Sequence, residues 1–249
     1  ELGRLTGITD PGGFATRFDL DAVGRRTAVT QADGTRREFQ YSAEGLLLSV
    51  RDERGFVTSF SYTDAGRLGA RIDPLGNTER FGWDKAGRLT SRDHGDGNKT
   101  LYSYDSAGNL IAETNPAGKT YRWQYDARGN PVVETNRLGA ETNMRYDALG
   151  RLVEKTDFSG QSTSYTYDKL SRVKTVRRSD GSLRSFRYDN EGRVTSARSA
   201  AETLSFTYDS VGRLTRSGYA STGAAVNYRY DKAGNRVGLT LLPSGASLD

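Results

Sequence analysis

A chain of 249 residues that is 35% hydrophobic, with a mean hydropathy of −0.70, cannot build a thick central core, and at 10% aromatic it is too aromatic for disorder. The absence of Cys excludes disulfides, thiolate metal sites and cysteine catalysis, and no apolar run approaches the roughly 18 residues of a membrane span. A net charge of +5 with pI 9.4 leaves nucleic acid or acidic glycan open as partners, although an Arg needed once per repeat explains the same excess.

The chain opens at Glu1-Leu2-Gly3-Arg4-Leu5, the tail of a phrase whose aromatic is missing, which reads as a piece of something longer. The phrase is complete at Trp83-Asp84-Lys85-Ala86-Gly87-Arg88-Leu89, at Tyr104-Asp105-Ser106-Ala107-Gly108-Asn109-Leu110 and at Tyr146-Asp147-Ala148-Leu149-Gly150-Arg151-Leu152. Its glycine falls at Gly3, Gly24, Gly45, Gly66, Gly87, Gly108, Gly129 and Gly150, gives way to Ser171, and resumes at Gly192, Gly212 and Gly234. These mark twelve units of about 21 residues, with only the last two intervals, 20 and 22, out of step. A fixed period of this length signals a repeat architecture, so residues 1–249 are expected to form a single array.

Each unit predicts two turns. One is Asp84-Lys85-Ala86-Gly87 and its relatives; the other is Asp73-Pro74-Leu75-Gly76, echoed by Asp10-Pro11-Gly12-Gly13, Asn115-Pro116-Ala117-Gly118 and Asp157-Phe158-Ser159-Gly160. Asp or Asn accepts backbone N–H bonds at the first position, Pro suits the second, and Gly supplies the left-handed conformation of a three-residue hairpin loop. A last turn is expected at Pro243-Ser244-Gly245. Between turns lie short strands such as Thr78–Trp83, whose Phe81 and Trp83 share a face. The aromatic pair recurs at Phe39/Tyr41, Phe60/Tyr62, Tyr102/Tyr104, Trp123/Tyr125, Tyr165/Tyr167, Phe186/Tyr188, Phe206/Tyr208 and Tyr228/Tyr230, with Met144/Tyr146 a near miss. The return strand starts with an aliphatic two residues after the glycine, except at Arg26, Pro131 and Arg236. The expected fold is therefore all-β: antiparallel β-hairpin repeats forming a long sheet, too many strands to stay flat, which curls and is stiffened by cross-strand aromatic pairs.

Tyr-Asp-x-x-Gly-Arg-Leu followed by Asp-Pro-x-Gly at this period resembles the YD repeat of RHS proteins, over essentially the whole chain. That family includes RHS effectors of type VI secretion, the C component of insecticidal toxin complexes, bacterial wall-associated toxins and animal teneurins. The resemblance implies a ribbon spiralling into a hollow shell, which in the bacterial toxins encloses a C-terminal toxic polypeptide. It also implies export, and as partners the rest of the shell, the enclosed toxin, and secretion-system spike or toxin-complex subunits. The self-cleaving aspartyl core of that group is not seen before Asp249.

The signature residues each carry two readings. The aspartates Asp84, Asp105, Asp126, Asp147, Asp168, Asp189, Asp209 and Asp231 are turn caps or a carboxylate ladder for calcium; one or two ligands per turn favour capping. The arginines after the glycine, Arg4, Arg25, Arg67, Arg88, Arg151, Arg172, Arg193 and Arg213, pair with an Asp of the same or next repeat, or grip anionic glycan or nucleic acid. The aromatics are the sheet's own apolar layer or a stacking surface for sugars or bases. The only histidine, His94, reads as a turn variant in His94-Gly95-Asp96-Gly97, and no phosphate loop or nucleophile turn stands near it. No catalytic residue, cofactor, metal or specific nucleic acid is expected. The leading functional expectation is a structural segment of an encapsulating shell; a glycan- or receptor-binding adhesin repeat is the alternative.

Overall fold

The structure, a computed structural model, describes residues 3–244; the expected turn at Pro243-Ser244-Gly245 runs past them at Gly245, and Glu1, Leu2 and Asp249 lie outside the described residues. Among the described residues every regular element is a strand. Contacts divide the chain into two units, Glu1–Tyr121 and Arg122–Asp249.

The first unit carries β1 (Gly7–Thr9), β2 (Ala15–Leu20), β3 (Arg26–Thr30), β4 (Arg36–Tyr41), β5 (Leu47–Arg51) and β6 (Val57–Tyr62). It continues with β7 (Leu68–Ile72), β8 (Thr78–Trp83), β9 (Leu89–Asp93), β10 (Lys99–Tyr104) and β11 (Leu110–Thr114). The boundary between units falls inside β12 (Thr120–Tyr125). The second unit holds β13 (Pro131–Thr135), β14 (Glu141–Tyr146), β15 (Leu152–Thr156), β16 (Ser162–Tyr167), β17 (Val173–Arg178) and β18 (Leu183–Tyr188). It ends with β19 (Val194–Arg198), β20 (Thr203–Tyr208), β21 (Leu214–Tyr219), β22 (Ala225–Tyr230) and β23 (Arg236–Leu242). From β1 to β11, and again from β12 to β23, each strand pairs antiparallel with the next, so each unit is a meander of hairpins.

Both turns of the repeat close the same way. The Asp84 N–H donates to the Arg88 carbonyl at 3.0 Å and the Gly87 N–H to the Asp84 carbonyl at 3.0 Å; Asp73, Gly76 and Asn77 repeat the pattern at the same distances. The glycine sits at positive φ, 87° at both Gly87 and Gly76, where a Cβ is disfavoured. Ser171 holds the same conformation with φ 62° and is the one non-glycine to do so among the described residues.

One device is invisible in the periodicity. At every hairpin closed by the anchor glycine the register slips by one residue: Tyr41 faces Leu47 and Gln40 faces Ser49, leaving Leu48 as an extra residue, and the same occurs from Leu20/Arg26 to Tyr230/Arg236. The bulge breaks the two-residue alternation, so Leu47 and Val50, three positions apart, both lie on the aromatic face opposite Tyr41 and Phe39. A bulge in each repeat also bends its strand the same way each time.

Among the described residues the buried side chains are few: Phe18, Ala28, Ala225, Thr100 and Thr142. Stability in such a sheet rests on neighbour-to-neighbour contacts, as the low hydropathy predicts.

The two irregular intervals are absorbed away from the anchor turn. The turn from Ser199 to Glu202 closes one residue early and that from Tyr219 to Ala224 one residue late. Their tips meet, with the Glu202 carboxylate accepting the Ser221 N–H at 3.3 Å and the Ser221 hydroxyl.

Candidate functional site

The signature residues converge on a joint that each repeat makes with the next. In the anchor turn the Asp84 carboxylate accepts the Arg88 main-chain N–H at 2.9 Å through one oxygen and Arg88 Nε at 2.7 Å through the other. The guanidinium then reaches forward. Arg88 Nη1 donates to the Asp105 carbonyl at 3.1 Å, and its Cζ lies 4.8 Å from the Tyr104 ring centroid. Tyr104 closes the loop by donating its hydroxyl back to the Leu89 carbonyl at 2.9 Å. One Arg thus spends its planar fork on its own turn, the next turn and the next ring.

The joint recurs. Arg172 binds Asp168 at 2.7 Å and the Asp189 carbonyl at 2.9 Å, lies 4.5 Å from the Tyr188 ring, and Tyr188 donates to the Val173 carbonyl at 2.7 Å. Arg25, Arg193 and Arg213 make the same three arginine contacts, with their own Asp, the next turn's carbonyl and the rings of Tyr41, Tyr208 and Tyr230. Tyr62, Tyr167, Tyr208 and Tyr230 make the return hydroxyl bond, and at Trp83 the indole N–H replaces it, donating to the Leu68 carbonyl at 2.8 Å. Arg151 departs in one contact: its fork meets the Ser171 hydroxyl at 3.1 Å. The expected Arg–Asp pair forms within the same turn at Arg25, Arg88, Arg151, Arg172, Arg193 and Arg213, whereas Arg67, whose turn opens with Thr63, reaches forward to the Asp84 carbonyl and Arg4 to the Ala22 carbonyl. In the next repeat the contact is to a main-chain carbonyl, as at Asp105, whose carboxylate is engaged by its own Asn109.

At two positions the anchor glycine serves this joint as well as its turn. A Cβ built on Gly87 would lie 2.6 Å from Arg67 Nη2, and one on Gly24 would lie 2.9 Å from Arg4, so there the preceding Arg crosses a bare backbone.

Where Asn replaces Arg the joint is shorter. Asn109, Asn130 and Asn235 donate to Asp105, Asp126 and Asp231 at 2.9, 2.9 and 3.0 Å. At the Asn130 turn, Arg128 reaches forward instead, to the Ala148 carbonyl, and the Tyr146 hydroxyl points to Met144 Sδ at 3.8 Å. Tyr125 ends β12 opposite Pro131, next to Asp126 and Gly129 of that turn. Gly108, Gly150, Gly192, Gly212 and Gly234 occupy the same turn position at positive φ. In the second turn type, Asp73 accepts from the Leu75 and Asn77 N–H groups at 2.9 Å each, Pro74 stands between, and Asn115, Pro116 and Gly118 repeat the arrangement.

These bonds hold the carboxyls below the ordinary range. The Arg main-chain N–H is the leading cause at Asp84, Asp168 and Asp209, the guanidinium at Asp147, and the Asn side chain at Asp105, Asp126 and Asp231. Burial pushes the phenols of Tyr104, Tyr146 and Tyr167 up. The aspartates are caps with both oxygens committed, which leaves little of them for a cation.

His94 lies in a variant turn in which Gly95 and Gly97 both take positive φ. Its Nε2 is 3.2 Å from the Thr100 hydroxyl, and its Nδ1 is 3.9 Å from Glu79, beyond hydrogen-bond reach. Glu79 is held instead by Arg92, and Thr100 is buried. Sequence reading missed the stack of Arg on the next Tyr; its signal was a near-constant spacing, 16 residues from Arg88 to Tyr104, 15 from Arg193 to Tyr208 and 17 from Arg213 to Tyr230.

No helix among the described residues is long and apolar enough to cross a membrane, which says nothing of a β-barrel. Comparison with curated protein sequences gives no match. Among solved structures, the chain is similar to a TcdB2-TccC3-TEV complex, at 20% identity and TM-score 0.72 over 92% of this chain and 15% of that one. It is similar to TcdB2-TccC3 without its hypervariable C-terminal region, at 19% identity and TM-score 0.72 over 93% and 15%. A Photorhabdus luminescens Tc holotoxin pore aligns at 18% identity and TM-score 0.54 over 92% and 16%. The chain therefore shares their fold while spanning about 15% of their length. The Teneurin YD-shell model matches residues 131–238. The RHS Repeat model matches residues 1–36, 41–78, 66–99, 83–120 and 104–141, more than half of the chain, and the chain belongs to the RHS-repeat family.

Proposed function

We propose that this chain is a wall segment of an encapsulating shell in an exported bacterial toxin, keeping a C-terminal toxic polypeptide enclosed until delivery. Its role is mechanical and not enzymatic. The observation that carries the reading is the joint itself: in most repeats Asp, Arg and Tyr lock onto the next, as at Asp84, Arg88 and Tyr104, giving a wall whose stiffness does not depend on a filled core. The likeness of its fold to TcdB2-TccC3 complexes supports partners of the toxin-complex kind, with the rest of the shell and the enclosed chain as immediate neighbours.

The adhesin alternative relied on Arg and aromatic ladders free to grip a glycan. Those arginines are engaged between repeats and the tyrosine hydroxyls are bonded to the main chain, which weakens that reading.

Limited proteolysis of the full-length protein tests the proposal. The enclosed chain should resist protease until Arg172 and Arg193 are both replaced by Ala, and then become cleavable. An enclosed chain cut equally fast before and after the substitutions would refute a walling role.

A further inference from the structure

The strands of the second unit change character after β15. From β16 to β23 no strand carries Asp or Glu, yet nine Lys or Arg lie on them. Five of these, Arg177, Arg187, Arg198, Arg216 and Arg229, fall on one face. Register sets this: Val176, Ala197 and Ser217 lie opposite Tyr165, Phe186 and Phe206, so their neighbours Arg177, Arg198 and Arg216 point the other way. Arg187 and Arg229 sit between the two members of the pairs Phe186/Tyr188 and Tyr228/Tyr230 and share that opposite face. All but Arg216 are exposed.

The repeat supplies its own standard for what such an Arg wants. Arg145, Arg187 and Arg229 occupy one repeat position, each directly before the strand-ending Tyr and 42 residues apart. Directly across the hairpin from them stand Glu154, Ser196 and Gly238, again one equivalent position. Arg145 meets the Glu154 carboxylate through both Nη2, at 2.8 Å, and Nε, at 3.2 Å. Ser196 and Gly238 offer no carboxylate. Ion pairs also lie in this unit's turns, between Arg151 and Asp147, Arg172 and Asp168, Arg193 and Asp189, Arg193 and Glu191, and Arg213 and Asp209.

We propose that this face of β16–β23 binds an acidic, extended polypeptide segment, whose carboxylates take at Arg187 and Arg229 the place that Glu154 takes at Arg145. The Arg fork grips a carboxylate through two of its donors, which at Arg145 both converge on Glu154 Oε2. Around the arginines the face carries Ser185, Ser196 and Thr207, small hydroxyl donors suited to a peptide's carbonyls. It carries no aromatic in β16–β22, since Tyr165, Tyr167, Phe186, Tyr188, Phe206 and Tyr208 are on the other side, so it lacks the stacking platform that bases and sugar rings use. Charge complementarity with hydroxyl donors and no rings selects an acidic peptide over a nucleic acid or a glycan.

The proposal stands on this face alone and does not require the encapsulation reading; the proteolysis above and the binding assay below fail independently. The test is fluorescence anisotropy of the 249-residue chain with a labelled peptide of about 20 residues alternating Glu and Ser, at low and high salt. Binding is expected at low salt, and it should weaken about tenfold or more in the triple variant Arg187→Gln, Arg198→Gln, Arg229→Gln. Ser196→Glu, which offers Arg187 an internal carboxylate, should weaken binding too, while Arg51→Gln, opposite Glu38 in the first unit, should leave it unchanged. Oligothymidylate and a heparin fragment of matched charge serve as competitors. No binding of the peptide at low salt, full binding by the triple variant, or tighter binding of either competitor would overturn the proposal.

Discussion

Within the second unit, the run of joints at Arg151, Arg172, Arg193 and Arg213 contrasts with the joint at Asn130. The turns are the same, with the same cap and, except at Ser171, the same glycine, but the forward grip differs. The Arg that follows the turn reaches the next turn and covers the next Tyr in one piece, as Arg172 does with the Asp189 carbonyl and Tyr188. At Asn130 the work is divided. The amide stays on Asp126, Arg128 crosses to Ala148 from another position, and Tyr146, without a guanidinium on its ring, turns its hydroxyl to Met144. The turn is therefore autonomous, whereas the joint between repeats is a separate layer that the chain builds in more than one way.

The largest expected effect is collective and reaches both kinds of joint. The turn carboxyls have pKa values below their unfolded value, so they contribute stability that is complete above about pH 4 and is lost as pH falls through the lower folded values. Thermal melts should hold steady from neutral pH to about 4 and then drop steeply; an unchanged melting temperature at pH 2.5 would show that the caps do not matter. Next in size, Gly87→Val should cost about 2–3 kcal/mol, since a β-branched residue at φ 87° is strained and its Cβ collides with Arg67. Urea denaturation matching the parent would contradict the dual role of that glycine.

Arg172→Ala sharpens the contrast between joints. It should destabilise by about 1–2 kcal/mol through the lost fork and ring contact, against less than about 0.5 for Asn130→Ala. Equal losses would mean that the forward reach contributes nothing. Asn130→Arg should matter little while Arg128 is present but restore stability in an Arg128→Ala background, and a double-mutant cycle reads that coupling. Ser171→Gly should have a small effect of the opposite sign. Relief of positive φ should stabilise by up to about 1 kcal/mol, partly offset by the hydroxyl that Arg151 loses. A clear loss would mean that the Arg151 bond outweighs the strain.

Much of the hairpin pattern was legible because it is local. Gly87 and Ser171 sit where the spacing placed them, Pro74 stands at the turn's second position, and Asp84 caps as its type predicts, all within a few residues of chain. The 20- and 22-residue intervals were countable, but not their remedy: one turn shortens, the next lengthens, and Glu202 ties their tips together. The stack of Arg88 on Tyr104 was missed because pairing was sought between charges, while the guanidinium's second partner is a ring.

The order of residues alone determined the number of hairpins, their turns and which side chains recur, since left-handed backbone, caps and short strands depend on near neighbours. Tertiary structure decided the bulge that puts Leu47 and Val50 on one face, the direction in which each Arg reaches, and the contrast between Arg145 with its Glu154 and Arg187 facing Ser196. Those depend on register between strands, and register comes from hydrogen bonds formed across the sheet, which no single stretch of sequence contains.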